Sequence, residues 1–249
     1  GSIVSGNLVE NNTATGYYYT KGGGIYVNNG GVVNGNTVRN TTVDGYGGGI
    51  YADGGGVLDG NLVYGNLANS GGGIGTYDNT VVSNNIVHDN TAFNQPWDGG
   101  GAGGGIIIND GGTVIGNTVY NNSANYGGGG IKVASGLVKN NIVTGNTAKS
   151  GGGISGSYCE VSNNIVIGNT ATNSDGGGMY LSGGITNANI VMDNAAINGG
   201  GIFIGVSSYS SSDTLIISNT VSANTITSDG QGAGIYFKEY PTYHGEASI

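Results

Sequence analysis

Trp97 is the single tryptophan of the chain, and it sits beside Asp98 in the stretch FNQPWDGGGA, residues 93–102. A second aromatic stretch, TGYYYTK at residues 15–21, holds Tyr17, Tyr18 and Tyr19. Aromatic faces stack on sugar rings, and Trp and Tyr are the usual anchors of binding surfaces. Cleavage of a glycan there would need carboxylates converging beside these loops, and Asp98 is the one that can be placed. The competing reading is that both stretches fold over the side of the molecule and shield it.

A second group is acidic. Asp53, Asp78 and Asp110 fall at similar points after successive Ile-centred segments. Oxygen ligands of this kind suit calcium, and an ion could bridge two of them. The simpler reading is that they are turn residues, since Asp-Gly is a turn pair (Asp53-Gly54, Asp110-Gly111). Asp44, Asp98, Asp175 and Asp229, each followed by Gly, read the same way. Cys159 is the one cysteine, so no internal disulfide forms, and its place in an inward column makes it a small buried hydrophobe.

The bulk composition narrows the partners. The 249 residues carry a formal net charge of -9, with only 6 Lys+Arg. Nucleic acid and anionic membranes call for clustered cations, so both are disfavoured, and polyanionic sugars more weakly so. No apolar run is long enough to span a bilayer. Gly accounts for 55 residues without a strict triplet period, and Pro for 2, which excludes collagen.

The elements that must position these residues emerge from a repeat. The apolar residue after each glycine run recurs as Ile25, Ile50, Ile74, Ile106, Ile131, Ile154, Met179, Ile202 and Ile235. A column of asparagines runs Asn7, Asn36, Asn61, Asn85, Asn117, Asn141, Asn164, Asn189 and Asn219, and each has Val two residues later. Three residues before each Asn the residue is apolar except at Thr186, where Ile185 hints at a local slip. Five residues after it runs a second column: Asn12, Thr41, Asn66, Asn90, Asn122, Asn146, Asn169, Asn194 and Asn224. Each repeat thus holds three short extended segments with alternating apolar residues. One repeat cannot close a core, but stacked coils about 4.8 Å apart can. The glycine run is one corner. The asparagines are further corners, or inward ladders joined by side-chain amides.

The pattern GGGIY…GVVxGNTVxxNTA resembles the right-handed parallel β-helix repeat proteins, the broad group that includes pectate lyases. It is also similar to bacterial surface β-helices and to the GGAI-type repeats of polymorphic outer-membrane proteins. The resemblance covers the whole chain and implies an all-β, right-handed parallel β-helix of roughly nine coils of about 24 residues, in one domain spanning 1–249. Members acting on pectin use calcium-binding acidic clusters with a basic residue, or grouped aspartates with Arg and Lys. Here Arg39 is the single arginine, and His88 and His244 lie in distant coils. That set of residues is not found, which favours a non-enzymatic role.

Three outward columns remain. The residue after each Ile anchor reads Tyr26, Tyr51, Gly75, Ile107, Lys132, Ser155, Tyr180, Phe203, Tyr236 and should form a partly aromatic exposed stripe, as ordinary strand propensity allows. The residue after the first Asn reads Leu8, Thr37, Leu62, Ile86, Thr118, Ile142, Ile165, Ile190, Thr220, an apolar stripe suited to a neighbouring rod. A threonine column at Thr13, Thr42, Thr91, Thr147, Thr170 and Thr225 is broken at Leu67 and Ala195, which counts against an ice-binding array.

Ile249 falls in phase with Val4, so the chain reads as a segment of a longer solenoid or as a unit that stacks head to tail. The leading expectation is an extracellular or cell-surface structural or adhesive segment that associates with itself and needs no cofactor beyond the weak calcium case. The alternative is a β-helix that binds or cleaves carbohydrate along the Tyr17–Trp97 edge. Ice binding ranks third.

Overall fold

The computed structural model describes residues 1–16, 20–93, 101–207 and 214–240. One coil shows how the repeat folds. Its strands are Ile50–Asp53, Val57–Asp59, Leu62–Tyr64 and Leu67–Ala68. Ile50, Leu58, Val63 and Ala68 are fully buried, so the apolar alternation faces one interior. Each strand pairs in parallel with its counterparts in the coils before and after, residue for residue: Val63 lies between Val38 and Val87. The described chain therefore winds as a continuous β-solenoid with three faces. The second face is a nine-stranded sheet from Leu8–Glu10 to Thr220–Ser222, and the third is a nine-stranded sheet from Thr13–Ala14 to Thr225–Ile226. The first face is a 16-stranded sheet that takes in both the Ile-anchored strands and the strands preceding the ladder asparagines. Most coils break between those two at a glycine-containing turn. Ile154–Ser162 and Met179–Asn187 run through it as single nine-residue strands.

Both asparagine columns are ladders. Asn122 is typical. Its Oδ1 accepts from the backbone N–H and from Nδ2 of Asn90, both at 3.0 Å. Its Nδ2 donates to the Val87 and Tyr120 carbonyls and to Asn146 Oδ1, each at 3.0 Å. The first column bonds in the same way from Asn7 to Asn219. In the second column Thr41 caps the ladder, its hydroxyl meeting Asn66 Oδ1 at 2.8 Å. The corner itself is made by the residue just before each ladder asparagine. Gly60 and Gly65 hold φ of 62° and 64°, and Asn84, Asn140 and Asn163 take the same left-handed region. Glycine, asparagine and aspartate enter it most readily. Thr186 does not mark a slip: it pairs with Val161, is fully buried, and its hydroxyl accepts from Asn189 Nδ2 at 3.0 Å.

The glycine run answers to contact as much as to φ. In Gly103-Gly104-Gly105, Gly103 has φ of 66°. A Cβ on Gly104 would overlap the carbonyl oxygens of Gly129 and Ser123. A Cβ on Gly105 would come within 2.7 Å of the Gly130 carbonyl and 2.9 Å of Val119 Cγ1. Adjacent coils approach through their backbones here, and any side chain would wedge them apart.

Three substitutions test this construction. Asn122→Ala leaves the buried Asn90 N–H without its acceptor and should lower stability by about 2–4 kcal/mol. Gly104→Ala should cost at least about 3 kcal/mol from backbone overlap. Gly168→Ala, at φ of 66° but with nothing within 4 Å of the new Cβ, should cost only about 1 kcal/mol. Denaturant midpoints of the three variants decide the matter, and equal losses for the two glycines would refute the contact argument.

Candidate groove on the first sheet

The column that follows the Ile anchors points away from the interior, yet much of it is not exposed. Tyr51, Ile107, Ser155 and Phe203 are all buried. The chain entering each glycine run folds back over this column, as Gly47 does against the Tyr51 Cβ position and Gly71 against Ile107. The aromatic stripe is therefore a covered layer along part of its length, and Tyr26, at 47%, is the one exposed member among its large apolar residues.

Within that layer Ser155 is small between two long neighbours. Lys132, Ser155 and Tyr180 stand side by side in register on successive coils. The short Ser155 side chain leaves a notch, and the corner segments of the same coils build its walls. The result is a groove of about 330 Å³ lined by Tyr126, Lys132, Lys149, Ser155, Asp175 and Tyr180, with Gly127, Ser150 and Ser174 completing it. That volume lies at the lower end of ordinary small-ligand sites.

The groove is electrostatically uneven. Two of the six cationic side chains of an acidic protein face it. Lys132 Nζ donates to Ser155 Oγ at 3.2 Å and forms no ion pair among the described residues. Burial pushes the Lys132 ammonium below the usual lysine range, with Cys159 acting weakly the other way. Lys149 is exposed and lies 5.8 Å from the centre of the Tyr126 ring, a cation–π contact. Asp175 accepts from Asn198 Nδ2 at 2.8 Å, which holds its carboxylate on the rim. Phe203 stacks on Tyr180 at 5.0 Å and 14°, so this wall is braced from the next coil. The arrangement can receive a ring between aromatic side chains, hydrogen-bond hydroxyls through three serines, and meet an anionic group with an ammonium.

The residues singled out from the sequence fall elsewhere. Tyr17, Tyr18, Tyr19, Trp97 and Asp98 lie outside the described residues. Asp53 ends the strand Ile50–Asp53 and pairs with Lys21 at 2.7 Å. Lys21 also sits 4.8 Å over the Tyr51 ring, whose phenol burial pushes up while Lys21 opposes it. Asp78 and Asp110 occupy left-handed turns at φ of 56° and 63°. Among the described residues no three His, Cys, Asp or Glu side chains gather as a metal site. Cys159 is buried in the core as expected, with Lys132 as an electrostatic neighbour that the sequence did not reveal.

A second constellation also escaped the sequence reading. On the second sheet, three residues after each ladder asparagine, stand Glu10, Arg39, Tyr64, His88 and Tyr120 in one row. Arg39 pairs with Glu10 and donates to the Tyr64 hydroxyl at 2.8 Å. The Tyr64, His88 and Tyr120 rings stack at 4.9 and 4.7 Å, nearly parallel. His88 Nδ1 contacts Asp89 at 2.7 Å. The rings cover one another's faces, so this row braces the sheet. The neighbouring apolar stripe is exposed as expected, at Leu8, Ile86, Ile142 and Ile190.

The sequence matches the family described as right handed beta helix region over residues 2–147, more than half of the chain. The chain belongs to the right-handed β-helix family. No curated protein matches it. A solved structure of a periplasmic alginate epimerase, a point mutant, is similar at a TM-score of 0.46 and 15% identity, over 96% of this chain and 71% of that one. No helix among the described residues of this β-helix is long and apolar enough to cross a membrane.

The core position of Cys159 makes a direct prediction for this β-helix. Burial pushes its thiol up to about 12. The thiolate is the reactive form, so a disulfide reagent at pH 8 should leave the native protein unmodified and label it fully in denaturant. Rapid native labelling would show that the coil opens at Cys159.

Proposed function

We propose that this β-helix binds saccharides, and that the groove at Ser155 takes one acidic sugar unit of a longer glycan in an extracellular setting. The observation that carries the reading is the pairing of Lys132 and Lys149 with Tyr126 and Tyr180 around a notch of monosaccharide scale. The tyrosines offer aromatic surface, the serines offer hydroxyl partners, and Lys132 offers a partly desolvated charge. The overall charge of -9 disfavours a polyanion spread along the whole rod. It does not disfavour one carboxylate seated where two of the few cations meet. A purely structural or adhesive segment would account for the solenoid but not for the notch.

Calorimetric titration with oligouronates and with neutral oligosaccharides of matched length tests this. Acidic oligomers should bind and neutral ones should bind more weakly. Lys132→Met should lose about tenfold to a hundredfold in affinity, the range for a hydrogen bond to a charged group, and Lys149→Gln only several-fold, as for an exposed charge. The pH dependence has a defined sign. Binding needs the ammonium, and burial lowers the Lys132 pKa from the ordinary 10.5. Affinity should therefore fall with rising pH before an ordinary lysine titrates, and Lys132→Arg, always charged, should remove that fall. Equal affinity of wild type and Lys132→Met for every glycan would reject the groove as the site.

A further inference from the structure

We infer that Lys132 is a covalent capture site: its amine condenses with a small aldehyde that carries a carboxylate, forming an imine inside the groove. The inference rests on the groove alone and holds whether or not a saccharide is the natural occupant. Four observations converge on it. The Lys132 side chain stands on an inner wall of the notch, its Nζ held by Ser155 Oγ at 3.2 Å. No carboxylate pairs with it among the described residues, so the amine is not locked as an ion pair. Lys149 lies on the same groove and supplies a cation for the carboxylate of the incoming molecule. Asp175 is the one carboxylate of the lining, and it is engaged by Asn198 rather than by Lys132. Burial also favours the neutral amine, the form that attacks a carbonyl, which is how desolvated lysines come to form Schiff bases.

The step balances without a redox partner. The Nζ lone pair of the neutral amine forms the bond to the aldehyde carbon, and the carbonyl π pair moves to oxygen, which takes up a proton. One of the two N–H protons leaves to water, giving the neutral carbinolamine. The hydroxyl then departs as water with a second proton, and the other N–H proton leaves to water once the C=N bond has formed. Hydrolysis reverses the sequence. The titratable groups lining the groove around this amine are Tyr126, Tyr180, Lys149 and Asp175, and Cys159 acts on it electrostatically from the core.

The test uses glyoxylate as the probe and cyanoborohydride to trap the imine as a secondary amine, with peptide mass spectrometry to read each lysine. The chain has Lys21, Lys132, Lys139, Lys149 and Lys238. At neutral pH Lys132 should be trapped ahead of the other four lysines, since a lowered pKa raises its free-amine fraction. Ser155→Leu, which fills the notch, should abolish that lead and leave the other four lysines unchanged. Lys149→Gln should slow trapping of glyoxylate at Lys132 but not of uncharged glycolaldehyde. Trapping at Lys132 no faster than at exposed Lys149, or a lead that survives Ser155→Leu, would overturn the inference. Because Lys132→Arg cannot form an imine yet keeps its charge, its glycan affinity separates this outcome from that of the saccharide reading.

Discussion

An amide side chain that accepts from the coil before it and donates to the coil after it is the interaction on which the solenoid depends. A buried backbone N–H at every sheared corner must find a partner. The preceding residue has swung into the left-handed region, so regular strand pairing cannot supply one there. Asparagine solves this because Oδ1 takes both the backbone and the side-chain N–H of its neighbour, while Nδ2 reaches back to a valine carbonyl. The unit works only if the same residue type occupies the same place in the next coil. Repetition in the sequence is thus a hydrogen-bonding requirement as well as a record of packing. The glycine run enforces the complementary condition of close backbone approach at the third corner.

This is why the fold was legible and parts of the surface were not. Asn36, Asn61 and Asn85 recur at fixed spacing, and so do Val38, Val63 and Val87, because each must meet its own kind one coil away. What the columns could not settle was which residue turns the corner. Asparagine serves both purposes: Asn84 turns and Asn85 bonds, and the two stand next to each other. Thr186 misled for a related reason. An apolar column broken by threonine looks like a register shift, but a buried hydroxyl that accepts from Asn189 fits the column without one.

The groove was half visible. Lys132, Ser155 and Tyr180 belong to a column that periodicity identifies, and a small residue between two long ones is a signal in itself. Whether such a position becomes a pocket or a filled gap depends on the segments at Tyr126, Lys149 and Asp175. Those segments vary in length and type from coil to coil and obey no ladder. Gly75, equally small, shows the difference, since the Tyr51 ring and the Gly47 backbone already occupy its space. The row Glu10, Arg39, Tyr64, His88, Tyr120 was present at fixed spacing too. Its residue types differ so much that only their spatial stacking reveals them as one structure.

Ser155 and Tyr180 lie on the two strands of the first sheet, Ile154–Ser162 and Met179–Asn187, that continue where the other coils turn. Eight residue pairs join them, from Ile154 opposite Met179 to Ser162 opposite Asn187, with a gap at Tyr158 and Gly183. The chain still bends there, at Tyr158 with φ of 49° and at Gly183 and Gly184 with φ of 77° and 98°, but the ladder resumes at once on the far side. The base of the groove is thus held by parallel pairing on both sides of that bend. A ligand of the proposed kind would meet a base whose backbone is already paired, which lowers the ordering entropy that opposes binding.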